Sequence, residues 1–269
     1  SANLNAFFSA VLTQGRPTNN NQLHFGFRQN GVFTFAFFGN DLNTPTGVAN
    51  DTNWHHWACT YDAQSRKRII YKDGEAVEED IATAAYQGTG ALLIGVIENP
   101  SRQFYFQGAI DEIRVWGKVR SQREINDTKN CRLDGNEAGL WAYYHFEDGT
   151  ASDRTGNASN DGQIFGSLPR VESGLTAYNV VAGVRDRYLT TNEPMWTTTW
   201  EHIAATYAEA YALRFNGVDN YLDCGNQVGL GVDNELTIEL TVTLPNNNQM
   251  FHPLLQKGRI GRGNPELTA

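Results

Sequence analysis

Cysteine is scarce: the 269 residues hold three, Cys59, Cys131 and Cys224, far apart and without a C-x-x-C pair. That excludes a disulfide-dense scaffold and a zinc knuckle, and leaves room for one intramolecular bridge at most. Basic residues are also few, 21 Lys and Arg against 30 Asp and Glu, and they form no cluster. With a formal charge of -9 the chain suits neither nucleic acid nor an anionic membrane, since both demand concentrated positive charge. No stretch approaches the roughly 20 apolar residues that span a bilayer. The opening Ser1-Ala2-Asn3 has no initiator Met and no signal peptide, as expected of a processed or excised piece. There is no H-E-x-x-H, G-x-S-x-G or Walker loop, and Gly258-Arg259-Ile260-Gly261-Arg262-Gly263 has the wrong glycine spacing for a phosphate cradle.

What the chain does have is short alternation of apolar and polar residues, broken by Gly, Asn and Asp. This is the pattern of half-buried strands joined by turns. Residues 24–37 read as a hairpin turning at Asn30-Gly31, and Arg68 to Glu75 as another whose Asp73-Gly74 supplies the positive φ of a type I′ turn. Further strands are expected at 91–97, 103–107, 110–116, 139–146, 211–216 and 236–243, the last with near-perfect period 2. One short helix is expected at 121–126, with Ser121 as cap and Glu124 completing a capping box. The buried thiol of a small hydrophobe suffices for Cys59, within His55-His56-Trp57-Ala58-Cys59-Thr60-Tyr61.

The chain repeats itself: Trp54 to Tyr61 is echoed by Trp200-Glu201-His202-Ile203-Ala204-Ala205-Thr206-Tyr207, as W-x-H-Φ-A-x-T-Y. Three more motifs follow the first copy, Tyr71-Lys72-Asp73-Gly74, then Gly108-Ala109-Ile110-Asp111-Glu112-Ile113-Arg114-Val115-Trp116, then Gly139-Leu140-Trp141-Ala142-Tyr143-Tyr144-His145-Phe146. In this series the chain resembles the bacterial laminin-G-like jelly-roll family over roughly 7–168. The resemblance implies an all-β, two-sheet antiparallel jelly-roll sandwich of the concanavalin A-like kind, with a minor helix. It also implies a binding module at the cell surface or outside the cell.

The family's opening strand is displaced, to Leu213-Arg214-Phe215-Asn216-Gly217-Val218-Asp219-Asn220-Tyr221. Residues 1–175 thus read as a module lacking its own opening strand, and 176–210 as a linker or partial repeat. Residues 211–269 read as the start of a second module or as a permuted completion of the first. An open sheet edge is an aggregation hazard, which favours completion and makes self-association through sheet edges an expectation.

Glycosidases on such sandwiches carry E-x-D-x-E along one strand, so that alternate carboxylates face the cleft together. Here Ala109 and Ile113 flank the Asp111-Glu112 pair, so strict alternation leaves Asp111 without a carboxylate one pleat away. The expectation is no enzyme, but a module recognising carbohydrate or an extracellular protein, with a structural spacer or assembly domain as the alternative and a glycoside hydrolase last. Similar jelly-roll modules often bind calcium, and its oxygen ligands would come from Asp111, Glu112, Asp219, Asn220 and Asp223, provided those strands share one sandwich; turn formation and local pairing account for the same residues otherwise. Trp54, Trp57, Trp116 and Trp141 are assigned to packing, while Tyr86, Tyr105 and Trp196 are the candidate exposed rings.

Overall fold

The computed structural model describes residues 17–28, 31–99, 102–173, 182–183, 188–189, 210–225, 235–244 and 253–257. In chain order the strands are β1 (His24–Arg28), β2 (Val32–Ala36), β3 (Asp41–Asn43), β4 (His55–Tyr61), β5 (Lys67–Lys72), β6 (Glu75–Ile81), β7 (Leu92–Ile94), β8 (Val96–Asn99), β9 (Arg102–Tyr105) and β10 (Gln107–Trp116). The helix α1 (Gln122–Thr128) follows, then β11 (Leu140–Tyr144), β12 (Gln163–Phe165), β13 (Arg170–Glu172), β14 (Ala182–Gly183), β15 (Tyr188–Leu189), β16 (Tyr211–Asn216), β17 (Tyr221–Asp223), β18 (Leu236–Thr243) and β19 (Pro253–Lys257).

Two large sheets make the fold. One runs β12-β17-β7-β19-β1-β2-β3 and the other β13-β16-β10-β18-β4-β5-β6, with β11 also pairing with β10. Every described pairing in them is antiparallel. This is the expected all-β sandwich. Strands from the C-terminal part of the chain do not gather in a unit of their own: β18 lies between β10 and β4, and β19 between β7 and β1.

The inward positions fill with aromatics. Phe25, Phe27, Phe33, Phe35 and Phe37 from the first sheet meet Trp57, Cys59, Tyr61, Ile238 and Leu240 from the second. The Phe33 ring stacks on Trp57 at 4.1 Å and 6°, and Phe27 meets the same indole edge-on. Each such side chain contributes about 1.5–3 kcal/mol by leaving water. Cys59 and Cys224 are buried, and all three cysteines are free thiols.

Among the described residues one charged side chain enters this interior. Arg68 of β5, fully buried, forks onto Asp80 of β6 (Nε–Oδ1 2.8 Å, Nη2–Oδ2 2.5 Å) and donates to the Asn40 carbonyl at 2.8 Å, with its guanidinium 4.9 Å from the Phe37 ring. It bolts the edge of one sheet to the β2–β3 connection of the other.

Local chemistry follows the sequence closely at two places. Asp73 and Gly74 have φ of 53° and 85°, as the type I′ hairpin requires. Ser121 caps α1 in a full capping box with Glu124, whose carboxyl is brought down to about 2, first by the Ser121 backbone N–H and then by Lys118. The expected turn of the first hairpin is only half visible, since Asn30 lies outside the described residues while Gly31 has φ 62°. Trp57 and Trp116 are buried as expected. Tyr86, offered as an exposed ring, is instead core, tilted against Phe37 at 5.0 Å. Tyr105 is half-buried beside Tyr221, and Trp196 lies outside the described residues.

Candidate functional site

The Asp-Glu pair of β10 sits on an irregularity. Asp111 is opposite Thr241 and Arg114 opposite Glu239, so three steps along β10 match two along β18. The extra residue is absorbed by Glu112, whose φ is 53°. This is a β-bulge, and it resets the alternation: Ile110 and Ile113 both enter the core, while Asp111 and Glu112 are both left for the outer face. Strict period 2 had separated these carboxylates, because a bulge at a non-glycine position has no sequence signature.

That outer face carries a buried charge layer. Glu112 accepts from Arg114 Nη2 at 2.7 Å and from the Tyr143 hydroxyl at 2.9 and 2.8 Å. Glu239 of β18, with no exposed surface, stands between two guanidinium groups and an imidazole, ion-paired to Arg120, 3.6 Å from Arg114 Nη1 and 3.4 Å from His56 Nε2. Burial alone would raise the Glu239 carboxyl; His56, Arg114 and Arg120 together hold it below the usual range. Arg120 also stacks over Trp116 at 4.2 Å. The layer is roofed by α1, whose Ile125 packs on Ala58 and Tyr71, and by Leu133 against Trp116 and Tyr143. Arg114 donates to the Thr128 and Cys131 carbonyls of that roof. Sequence reasoning missed Glu239, His56, Arg114 and Arg120; the available signal was a lone carboxylate in the middle of an otherwise regular apolar strand.

Asp111 is 1 % exposed, accepts from Ser173 Oγ at 2.5 Å and from the Glu112 N–H at 2.8 Å. Burial first, and the Glu112 charge second, push its carboxyl well above the normal range. Asp219 and Asn220 lie in the β16–β17 turn. Asp219 accepts from Asn216 Nδ2 at 2.7 Å; Asn220, fully buried, accepts from the Asn216 N–H and donates to the Ser167 carbonyl. Asp223 accepts from the Gly225 N–H at 2.9 Å. Asp111 and Glu112 are neighbours, and Asp219, Asn220 and Asp223 share a second locality. Among the described residues no three His, Cys, Asp or Glu side chains converge as a metal ion requires.

Residues 2–126 match the family model Laminin_G_3, described as concanavalin A-like lectin/glucanases superfamily. Over that part of its length the chain is similar to laminin-G-like domains. No curated protein and no solved structure matches it significantly. The superfamily's description spans lectins and glucanases, so binding and hydrolysis both lie within its range. Among the described residues no helix is long and apolar enough to cross a membrane.

A second, solvent-accessible polar group lies where β4 begins. His55, on the opposite side of the strand from buried His56, is held between Asp73 (Nδ1–Oδ2 2.7 Å) and Asp51 (Nε2–Oδ1 2.7 Å). Lys72 Nζ reaches Asp51 at 3.4 Å and the Val48 carbonyl at 2.8 Å. The Asp73 hydrogen bond, opposed by partial burial and aided by Asp51, raises the His55 pKa. Both aspartates are pulled below the ordinary carboxylate range by His55, against the desolvation that would raise them. Trp54, half-buried, lies between Asp51 and His55 in the chain.

Proposed function

We propose that this laminin-G-like chain is a non-catalytic binding module that recognises carbohydrate or a protein partner outside the cell. The observation that supports it is the state of the β10 carboxylates. Asp111 and Glu112 share a face, as a hydrolytic pair would, yet both are buried and already held by Ser173, Arg114 and Tyr143. A general acid and its partner must reach the glycosidic oxygen and the anomeric carbon directly; these two are taken up by the protein itself. Recognition then falls to the loops, where the rim formed by Asp51, His55, Lys72 and Asp73 next to Trp54 offers donors, acceptors and a ring, the combination a sugar surface needs.

The reading is tested by titrating oligosaccharides of several linkages into the protein by calorimetry while assaying the same sugars for hydrolysis. Binding without turnover, weakened by W54A or D51A, supports it. Turnover that disappears in D111N or E112Q overturns it.

A further inference from the structure

The strand at the middle of the larger sheet comes from near the end of the chain. β18 pairs over seven residues with β4 and over six with β10. Without it, the β4 and β10 edges would face each other across a slot lined on the inner side by Trp57, Cys59 and Ile110. On the outer side the slot would hold His56, Arg114 and Arg120. Of these, Arg114 has Glu112 as a second carboxylate, whereas Arg120 pairs with Glu239.

Such a slot is selective. It calls for a strand with apolar residues at alternate positions and one carboxylate at the centre of its outer face, which Leu236-Thr237-Ile238-Glu239-Leu240-Thr241-Val242 provides. A strand lacking that carboxylate would bury guanidinium groups with too little negative charge, and an uncompensated buried charge is strongly unfavourable. A strand shifted by one residue would drive Glu239 into the aromatic core.

The connection to the block of strands that delivers β18, beginning with β16, is long: β13 ends at Glu172 and β16 begins at Tyr211. At ~3.3 Å per residue such a length of chain reaches on the order of 100 Å, well beyond one domain. Every contact β18 makes within its own sandwich is equally on offer in an identical neighbour, the condition for strand exchange between copies.

We propose that the slot between β4 and β10 accepts residues 235–244 of a second copy of this chain as well as its own, and that Glu239 is the residue that admits them. The module thereby links to its own kind through a central strand, not through an edge.

Full-length copies test this directly. Thr60 and Thr237 are paired across β4 and β18, so T60C with T237C in one chain, both with C131S to remove the partly exposed thiol, is the control for geometry. A mixture of one copy carrying T60C and another carrying T237C, unfolded together in urea, refolded and then oxidised, can form this bridge only between molecules. The expected result is an intramolecular bridge in the control and a covalent dimer in the mixture whose share rises with protein concentration. E239Q in the T237C copy should lower dimer yield about tenfold or more relative to an otherwise equal competitor. T241V, which alters a buried hydroxyl on the same face that has no hydrogen-bond partner among the described residues, should leave it unchanged. A control that closes while the mixture stays monomeric overturns the exchange; a control that fails to close overturns the pairing beneath it. Equal yields from E239Q and the parent strand overturn the role of Glu239.

Discussion

Replacing Arg68 by Met removes the one charged side chain in the sandwich interior described above while keeping most of its apolar stem. Five hydrogen-bonding contacts go: the two of the fork onto Asp80, the 2.8 Å bond to the Asn40 carbonyl, the 3.2 Å bond to Asn40 Oδ1 and the long 3.4 Å approach to the Phe35 carbonyl. The acceptors are not all orphaned. The Asn40 carbonyl keeps the Phe37 N–H and Asn40 Oδ1 keeps the Thr83 N–H, and Asp80, about a third exposed, can return to water. The loss is therefore below that of stranding a fully buried charge, and about 3 kcal/mol is the reasonable magnitude for charge-assisted bonds broken at a closed site. For a chain of this size that corresponds to a fall of roughly 6–12 °C in Tm. Urea unfolding followed by near-ultraviolet circular dichroism, with the slope checked for constancy, reads the difference, and D80N serves as the milder comparison at about 1 kcal/mol. An R68M protein within about 0.5 kcal/mol of the parent, or a D80N protein equally damaged, would refute the claim that this guanidinium joins the two sheets.

The Asp51–His55–Asp73 cluster gives a signed pH dependence. The raised His55 pKa contributes stability present below the unfolded value and lost as pH rises through the folded one, while the lowered aspartates lose theirs as pH falls through their own range. The advantage of the parent over H55Q, under about 1 kcal/mol at so exposed a site, should peak in mildly acidic solution and vanish in alkali; a constant difference in urea midpoint from pH 5 to 9 would contradict this. For Asp111 the sign is opposite. Its raised pKa makes ionisation a cost above the unfolded carboxylate value, so D111N should match or exceed the parent's stability at neutral pH and lose that advantage in acid, and a large neutral-pH loss measured by calorimetry would show that the ionised form is needed. Gly95 has φ 84°, and a Cβ there would stand 2.4 Å from the Phe215 ring; G95A should cost about 2–4 kcal/mol, and an unchanged melting curve would mean that β16 does not dock there. Calcium at millimolar concentration followed by EDTA should leave Tm unmoved, whereas a reversible rise would return Asp111, Glu112, Asp219, Asn220 and Asp223 to consideration as ligands.

The strands, the capped helix and the Asp73-Gly74 hairpin were legible because each depends on a local rule: period 2, a capping box, positive φ. The charge layer was not, because it is assembled from β4, β10, β18 and the segment after β10, and only strand order brings Glu239 between Arg114, Arg120 and His56. The Asp111-Glu112 pair shows the limit most clearly. The residues were found, but their faces were assigned by alternation, and the bulge at Glu112 rotates everything after it by half a period. Tyr86 fails for a related reason: it lies in the β6–β7 connection, where its neighbours Ala85 and Gln87 give no apolar pattern, and it packs against Phe37 just past β2.

The bulge also makes one residue of β10 surplus to its register. With Glu112 deleted, two steps along β10 would match two along β18, so Ile113 and Val115 would stay in the core and Arg114 on the outer face, and what would be lost is the carboxylate that holds Arg114 and Tyr143. Loss of this one residue therefore straightens the strand without inverting it, whereas a residue inserted into a regular part of β10 would need a second bulge to keep the faces. Sequences sharing this architecture should accordingly include some with a plain strand here, and those should lack the partner for the guanidinium at 114.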